Sequence, residues 1–188
     1  RMSACFGAGN VMPLDRTGSL EQPLFQKFQQ KLAGGSWCHI FAEGRVWQSW
    51  RFEPEEEHLG PFKFGVGKLI AHCKDSPVVV PIYHKGFDLI IPEKQLKGKA
   101  RKKKPSFPIT VKPCTGKTVE VFIGEPLDFS DRIAKFNTEH PGILDKWQST
   151  PEGLALYIDI SETIRKAVLK QEERAWGRPL KPQSVSES

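Results

Sequence analysis

Apolar residues recur at helical spacing in three parts of the chain. Residues 21–32 and 64–73 each predict a short helix, and residues 151–174 predict a long amphipathic one. The reason is that apolar positions three and four apart lie on one face of a helix. Gly34-Gly35 should end the first helix. The predicted inward stripe of the long helix is Leu154, Tyr157, Ile158, Ser161, Ile164 and Val168.

Short apolar runs at residues 37–41, 78–83 and 117–123 predict strands, since β-branched and aromatic residues without helical spacing are typical of buried strands. Helices and strands therefore alternate along the chain, which predicts an α/β fold with a mixed β-sheet flanked by helices. Residues 1–175 should form one domain. The Pro/Ser/Lys-rich residues 176–188 should form a disordered tail.

Composition and charge narrow the class of protein. The 188 residues can bury one sizeable core. The net charge of +6 suits an anionic partner: a membrane surface, nucleic acid or a phosphorylated substrate. The four cysteines are widely spaced, so reduced thiols are expected rather than a zinc site or disulfides. No apolar run reaches membrane-spanning length. Because the chain begins at Arg1 in core-like sequence, we expect the natural N-terminus to lie further upstream.

A basic run lies between the second and third predicted strands, and its charges are Lys97, Lys99, Arg101, Lys102, Lys103 and Lys104. Such clusters gain on the order of 1 kcal/mol per residue near anionic lipid. A nucleic-acid patch and a solvated loop are the alternative interpretations. Aromatic residues do not interleave with the charges, so single-strand binding is not supported. We predict contact with an anionic membrane surface and no nucleic-acid partner.

Two residues in particular carry chemistry that a ligand site would need. Glu43 follows a predicted strand and precedes Gly44, and open α/β sheets bind ligands at the carboxyl ends of their strands. The guanidinium of Arg16 could hold a phosphate through two hydrogen bonds. An ordinary turn at Glu43 and a surface position for Arg16 are the alternative interpretations.

Three segments that contain or follow these residues resemble, in the same order, motifs of the glycerolipid acyltransferases. Residues 9–16 are similar to the second motif of that family, a glycine followed by apolar residues and an arginine. Residues 41–44, Phe-Ala-Glu-Gly, are similar to the third motif, Phe-Pro-Glu-Gly. Residues 80–81 are similar to the fourth motif, an apolar run that ends in proline.

The tafazzin branch of this family is more similar still. Residues 37–46 resemble its Trp-Val-His-Ile-Phe-Pro-Glu-Gly-Lys-Val stretch, and residues 63–70 its Lys-Trp-Gly-x-Gly-Arg-Leu-Ile stretch. Residues 81–87 resemble Pro-x-Trp-His-x-Gly-Met, and residues 122–126 resemble apolar-Ile-Gly-x-Pro. The resemblance covers roughly residues 5–170 of the sequence.

The resemblance implies a glycerol-3-phosphate acyltransferase-like fold and acyl transfer from a phospholipid to a lysophospholipid hydroxyl, without coenzyme A or any other cofactor. For the tafazzin branch it implies cardiolipin remodelling at mitochondrial membranes, with other intracellular membranes as the alternative. It assigns the lysolipid phosphate to Arg16, the phosphate and glycerol pocket to Glu43 and Gly44, and the end of the strand beneath the acyl site to Pro81. His84 matches the tafazzin Trp-His position and would line the site, although a structural hydrogen bond is an equal alternative.

Two departures from the family pattern matter. Family members carry a His, four residues and then an Asp upstream of the second motif, and this histidine is the general base. No residue before Gly9 can supply it, so we expect the 188-residue chain alone to be inactive. Ala42 also replaces the family proline and loses its fixed φ. His140 and Asp145 have the same spacing, but Pro141-Gly142 between them favours a loop over a catalytic helix.

Two alternative functions stay open. The first is a CoA-dependent lysophosphatidate-type acyltransferase, which shares all the motifs but not the tafazzin-like flanks of Glu43 and His84. The second is a non-catalytic module that binds a membrane surface or a protein through the basic run. His39 alternates with Phe41 along its predicted strand and is interpreted as a core histidine.

Overall fold

The computed structural model describes residues 11–12, 22–44, 46, 48–92 and 114–182, with six helices and two strands among them. The helices are α1 (Pro23–Ala33), α2 (Gly65–Ala71), α3 (Phe87–Ile90), α4 (Ser130–Glu139), α5 (Pro151–Trp176) and a 3₁₀ turn at Ser49–Arg51. The strands are β1 (Ile82–Lys85) and β2 (Glu120–Ile123). No helix in these ranges is both long enough and apolar enough to span a bilayer.

The chain divides into two compact units. The first unit comprises Arg1–Ile40, Phe64–Pro77 and Asp128–Ile160, and the second comprises Phe41–Lys63, Val78–Leu127 and Ser161–Ser188. Helix α5 contributes its first ten residues to the first unit and the remainder to the second. The single domain predicted for residues 1–175 remains a proposal.

The first unit packs α1, α2, α4 and the start of α5 around an apolar core. Local sequence explains the ends of two helices. Pro23 lies in the first turn of α1, where its missing N–H costs nothing. At the start of α5, Thr150 Oγ1 accepts a hydrogen bond from the backbone N–H of Gly153 at 3.1 Å. The buried apolar residues are Phe25, Leu69, Ile70, Ala71, Cys73, Phe129, Ile133, Phe136, Leu156, Tyr157 and Ile160.

The second unit is built on an antiparallel pair, β1 and β2. Tyr83 lies opposite Phe122, and His84 lies opposite Val121. Because successive side chains of a strand point to opposite faces, the sheet has an inner face with Tyr83 and Lys85 and an outer face with His84 and Val121. The inner face contacts the C-terminal half of α5, where Lys85 Nζ lies 4.2 Å from the centre of the Trp176 ring.

The coarse α/β class is confirmed, since helices accompany a small antiparallel sheet, but several details of the prediction are wrong. Residues 37–41 do not form a buried strand: Trp37 is 76% exposed and Phe41 is 71% exposed. Among the described residues no strand pairs with this segment, and its side chains stay open to solvent. His39 is exposed as well, so it is not a core histidine.

The remaining predicted elements lie close to the observed ones. The helices predicted at 21–32, 64–73 and 151–174 are confirmed, whereas the predicted strands begin later, at Ile82 and Glu120. Tyr157, Ser161, Ile164 and Val168 of the predicted stripe are buried, but Ile158 is 47% exposed. After Trp176, Lys181 pairs with the backbone of Glu55 and Glu57. Residues 183–188 of the predicted tail lie outside the described residues.

Candidate functional site

The turn from Phe41 to Gly44 holds the carboxylate that the sequence analysis selected. The backbone N–H of Gly44 donates to the carbonyl of Phe41 at 3.2 Å, and the N–H of Lys63 donates to the carbonyl of Ala42 at 2.8 Å. Gly44 has a φ of +67°, a left-handed conformation that glycine adopts without steric cost. The motif glycine therefore serves to make the tight turn that places Glu43.

The carboxylate of Glu43 is held by one backbone donor from a following loop. Its Oε1 atom accepts a hydrogen bond from the N–H of Gly60 at 2.7 Å. An N–H bonded to an ionised carboxylate at this length is about twice as strong as a neutral hydrogen bond. Glu43 is half-buried, so this bond also restricts the side chain to one orientation.

Helix α5 holds the loop that carries Gly60. Arg165 forms an ion pair with Glu57, and its Nη2 and Nε atoms donate to the carbonyls of Leu59 at 3.3 Å and Gly60 at 3.2 Å. Two helical turns further along α5, Glu172 Oε1 accepts a hydrogen bond from the N–H of His58 at 2.9 Å. Arg165 and Glu172 are seven residues apart and share a helix face. Together they bind backbone groups of three consecutive residues, His58, Leu59 and Gly60.

Glu172 is fully buried at the centre of a polar cluster in the second unit. Its Oε1 atom accepts from the Tyr83 hydroxyl at 3.3 Å and lies 3.3 Å from Nδ1 of His58. Its Oε2 atom has no hydrogen-bond partner within the described part of the chain. Burial raises the pKa of Glu172 to about 7, and the nearby carboxylates of Glu57 and Glu43 act in the same direction. This buried acid can therefore exchange a proton near neutral pH.

His58 and Tyr83 complete this cluster. Burial and the positive charge of Arg178 lower the pKa of His58, while burial raises the pKa of Tyr83. The Tyr83 hydroxyl accepts from Trp176 Nε1 at 3.3 Å, and the His58 ring meets the Trp176 ring edge to face at 4.8 Å. The neutral forms of both side chains are thus favoured beside the buried acid.

Pro81 and Gly124 join the two strands at one end of the sheet. The N–H of Gly124 donates to the carbonyl of Pro81 at 2.9 Å. A Cβ atom at position 124 would lie 2.9 Å from Pro81 Cγ and 2.8 Å from Nε2 of Gln171, so a larger residue would displace these side chains. Pro81 is buried and fixes the start of β1, which is consistent with a supporting role at the strand end.

His84 lies on the outer face of the sheet among exposed apolar side chains. Its ring centre is 4.7 Å from that of Phe87 and 6.5 Å from that of Phe41, two residues before Glu43. Val121 is 57% exposed and Ile123 is 59% exposed on the same face. The outer apolar face, defined as Phe41, His84, Phe87, Val121 and Ile123, therefore adjoins the turn that carries Glu43.

Four of the five site residues that the sequence selected lie in the same compact unit. Glu43, Gly44, Pro81 and His84 all belong to the second unit. Arg16 lies outside the described residues, as do Lys97, Lys99, Arg101, Lys102, Lys103 and Lys104. The two ends of the segment that contains the basic run are held together, because the N–H of Cys114 donates to the carbonyl of Ile90 at 2.7 Å.

A separate polar cleft of about 310 Å³ lies in the first unit. It is lined by Gln26, Gln29, Gln30, His72, Leu144, Asp145 and Trp147. His140, the spacing partner of Asp145, packs instead on Phe136 at the end of α4, with ring centres 4.8 Å apart. Asp145 therefore lines the cleft and His140 does not, so the two residues do not face the same cleft.

His72 is buried beside the cleft between α2 and the start of α5. Its Nε2 atom lies 2.6 Å from the Tyr157 hydroxyl. Burial and the positive charge of Lys68 lower the pKa of His72 to about 4, so this histidine is neutral at physiological pH. Lys68 is itself fully buried, with Nζ 4.7 Å from the centre of the Trp147 ring and 3.1 Å from Ser149 Oγ. This group of residues serves packing.

Sequence reasoning missed His58, His72, Arg165 and Glu172. The two histidines belong to no motif, so no sequence signal marks them. The acid could have been found, because position 172 continues the buried stripe of α5 one turn beyond Val168. A charged residue at a stripe position indicates a buried polar contact.

Comparison with known proteins finds similarity to an N-acylphosphatidylethanolamine synthase and to tafazzins. It is 32% identical to N-acylphosphatidylethanolamine synthase from Arabidopsis thaliana over 127 residues, which cover 68% of this chain and 39% of that protein. It is 30% identical to tafazzin from Drosophila melanogaster over 131 residues, covering 70% of this chain and 29% of that protein. Tafazzin from Saccharomyces cerevisiae is 31% identical over 113 residues, covering 60% and 27%.

The resemblance to the tafazzin family is therefore confirmed, and the chain is a homologue of these proteins. The chain spans well under half the length of each of these relatives. No protein-family profile matches it.

Proposed function

We propose that this protein transfers fatty acyl groups between phospholipids, with a lysophospholipid hydroxyl as the acceptor. The observation that carries the proposal is the Phe41–Gly44 turn, which has the family's glutamate-glycine pair and a carboxylate oriented by the N–H of Gly60. Homology to tafazzins supports the same class of reaction. The tafazzin-type reaction would use a phospholipid donor without coenzyme A and would remodel cardiolipin at mitochondrial membranes.

In this reaction the acceptor hydroxyl gives its proton to a general base and attacks the ester carbonyl of the donor. The bond from that carbonyl carbon to the donor glycerol oxygen then breaks, and the base returns the proton to this oxygen as the donor lysolipid leaves. The proposed base belongs to the His-x₄-Asp motif of the family. We propose that Arg16 binds the acceptor phosphate, that Glu43 and Gly44 shape the glycerol pocket, and that Pro81 and His84 border it. The domain would have the glycerol-3-phosphate acyltransferase-like fold.

A second acceptor chemistry is favoured by one comparison. The Arabidopsis relative is named for the synthesis of N-acylphosphatidylethanolamine, in which the product carries an amide. The same polar turn would then serve an amine acceptor in place of a hydroxyl. Both the ester-forming and the amide-forming reaction start from an acyl donor. The bond in the product, an ester or an amide, therefore distinguishes them experimentally.

The outer apolar face supports an interfacial location for the reaction. Phe41, Phe87, Val121 and Ile123 are each about half exposed or more, beside the Glu43 turn. The basic run from Lys97 to Lys104 lies between Phe87 and Val121 in the sequence. Exposed apolar side chains together with lysines and arginines match the chemistry of an anionic bilayer surface.

The test uses the protein expressed from its complete gene and phosphatidylcholine with a labelled acyl chain. Monolysocardiolipin and phosphatidylethanolamine are supplied separately as acceptors, with and without coenzyme A. Mild alkali cleaves an ester product and leaves an amide product intact. Alkali-labile label on cardiolipin without coenzyme A supports the transacylase. Dependence on acyl-CoA supports the lysophosphatidate-type alternative, and vesicle binding without transfer supports a non-catalytic module.

Variants connect the activity to the site. Arg16→Ala should mainly raise the apparent KM for the lysolipid, and Glu43→Gln should remove most of the activity because it keeps the size of the side chain but not its charge. Glu125→Gln is the matched control, since Glu125 is exposed beyond the end of β2. Unchanged turnover in both site variants, with unchanged thermal melts, would contradict the assignment of these motifs.

A further inference from the structure

We propose that Arg165 is a positioning residue for Glu43 and acts on it through a single peptide group. The peptide that joins Leu59 to Gly60 carries both contacts. Its carbonyl oxygen accepts from Arg165 Nη2 at 3.3 Å, and its N–H donates to Glu43 Oε1 at 2.7 Å. The structural part of this inference is independent of the reaction, and its consequence for substrate binding rests on the proposed function.

The geometry of a trans peptide makes this link directional. The C=O and N–H of one peptide lie in a common plane and point in opposite directions. A cation bound at the oxygen therefore stands on the side opposite the carboxylate bound at the N–H. It also polarises the peptide, and hydrogen bonds in such chains strengthen one another. Arg165 thereby both aims the Gly60 N–H at Glu43 and strengthens it as a donor.

The surroundings of Arg165 favour this effect. Its side chain is 18% exposed and that of its ion-pair partner Glu57 is 9% exposed, so water screens the guanidinium weakly. The Nε atom of Arg165 also binds the carbonyl of Gly60 at 3.2 Å. The guanidinium thus holds the peptide groups on both sides of the Gly60 α-carbon.

An arginine suits this position because its planar fork reaches several acceptors at once. Arg165 contacts the Glu57 carboxylate and the carbonyls of Leu59 and Gly60. A lysine has one nitrogen on a flexible stem and cannot hold these three acceptors in the same geometry. Arg165→Lys therefore keeps the positive charge and can still pair with Glu57. It loses the hydrogen bonds that hold the carbonyls of Leu59 and Gly60.

The test is an acid titration of the ¹⁵N-labelled chain followed by NMR, which requires no lipid and no activity. In the unaltered chain the Gly60 amide signal should shift as the Glu43 carboxylate is protonated, and one step of the Arg165 Nε–H shift should have the same midpoint. Protonation of Glu57, the ion-pair partner of Arg165, adds a separate step to the Arg165 signal. Glu43→Gln should abolish the Gly60 shift and the Arg165 step that shares its midpoint, and it should leave the Glu57 step in place. A Gly60 shift without an Arg165 step at its midpoint, or an Arg165 step at that midpoint that persists in Glu43→Gln, would overturn the proposal.

Arg165→Lys provides the second arm. The Gly60 amide shift should fall markedly in this variant while circular dichroism remains unchanged. Arg132→Lys is the matched control, because Arg132 pairs with Asp159 at 2.7 Å on an exposed surface of the first unit. An undiminished Gly60 shift in a folded Arg165→Lys chain would reduce Arg165 to an ordinary ion-pair residue. If Arg165→Lys does not fold, the titration of the unaltered chain still decides.

Kinetics of the protein from the complete gene separate this inference from the proposed function. Arg165→Lys should lower the activity in the same direction as Glu43→Gln but by less, and the double variant should be no worse than Glu43→Gln alone, because both act at one contact. Additive losses would contradict a shared contact. A protein with the expected NMR coupling but no acyl transfer would refute the proposed reaction and leave the positioning role intact.

Discussion

Tyr83 on strand β1 donates its hydroxyl hydrogen to Glu172 on helix α5 across 3.3 Å. The bond joins the inner face of the sheet to a helix residue that has no exposed surface. The neighbour of Tyr83 along the strand, His84, lies on the outer face beside the Glu43 turn. Strand β1 thus contacts the buried acid Glu172 through Tyr83 and the Glu43 turn through His84.

Glu172→Gln should stabilise the protein above neutral pH. The pKa of this acid is raised from 4.5 to about 7 in the folded chain, so the native state binds the proton more tightly than the unfolded state does. Stability is therefore lost as pH rises from 4.5 to about 7, and the loss is constant above that. The variant should gain up to about 3 kcal/mol at pH 8 and nothing at pH 4.5.

Urea unfolding of both proteins across this pH range measures the difference. Glu125→Gln removes an exposed carboxylate and should show no such dependence. A stability difference between Glu172→Gln and the unaltered protein that is equal at pH 5 and pH 8 would contradict the raised pKa.

Gly86→Ala should destabilise the sheet by about 2–4 kcal/mol. Gly86 follows β1 with a φ of +101°, and a Cβ atom there would lie 2.3 Å from the carbonyl oxygen of Thr118. Gly116→Ala is the matched control, because Gly116 also has a positive φ of +68° but its Cβ would meet no atom within 4 Å. Chemical unfolding should therefore show a loss of only about 1 kcal/mol for the control. Equal losses would mean that the close approach to Thr118 is unimportant.

Tyr157→Phe should cost about 1–3 kcal/mol, because it leaves Nε2 of the buried His72 without its partner at 2.6 Å. The measurement is the free energy of unfolding at pH 7, where His72 is neutral. Thr138→Val removes a hydroxyl that bonds to the Ala134 carbonyl on the exposed side of α4, and its effect should be within about 0.5 kcal/mol. A neutral Tyr157→Phe substitution would show that the His72 contact does not contribute to stability.

Lys102→Glu combined with Lys103→Glu should weaken binding to cardiolipin-containing vesicles, and the remaining binding should be less sensitive to salt. Cosedimentation at low and physiological salt measures both effects. Lys27→Glu with Lys31→Glu changes the net charge equally on the exposed face of α1 and serves as the control. Equal losses for the two pairs would assign the effect to net charge alone.

The sequence predicted elements well where the pattern is local. Helix α5 follows from its apolar period, and its observed range of Pro151–Trp176 differs from the predicted one by two residues. Residues 37–41 have the composition of a strand, but a strand requires a partner, and composition does not show whether one is present. Ile158 was assigned to the buried stripe, yet Leu156 and Ile160 are buried instead, because packing determines how a helix is rotated.

The sequence allowed the motif residues of the candidate site to be named, but it did not allow their hydrogen-bond partners to be predicted. Glu43 and Gly44 were selected from resemblance and from their place after an apolar run. The donor that orients Glu43 comes from Gly60, a residue with no motif, and the arginine that holds Gly60 lies more than a hundred positions further along. Contacts at such separation depend on tertiary packing, which a single sequence does not contain.

The hydrogen bond between Cys114 and Ile90 has a consequence for how this chain can vary between species. It brings the two ends of the intervening segment together, so the positions of Ile90 and Cys114 are fixed by a contact outside that segment. Each doubling of such a segment costs only about 0.6 kcal/mol in closure entropy. A shorter, longer or differently charged segment between residues 90 and 114 is therefore expected to leave the Glu43 turn unaltered.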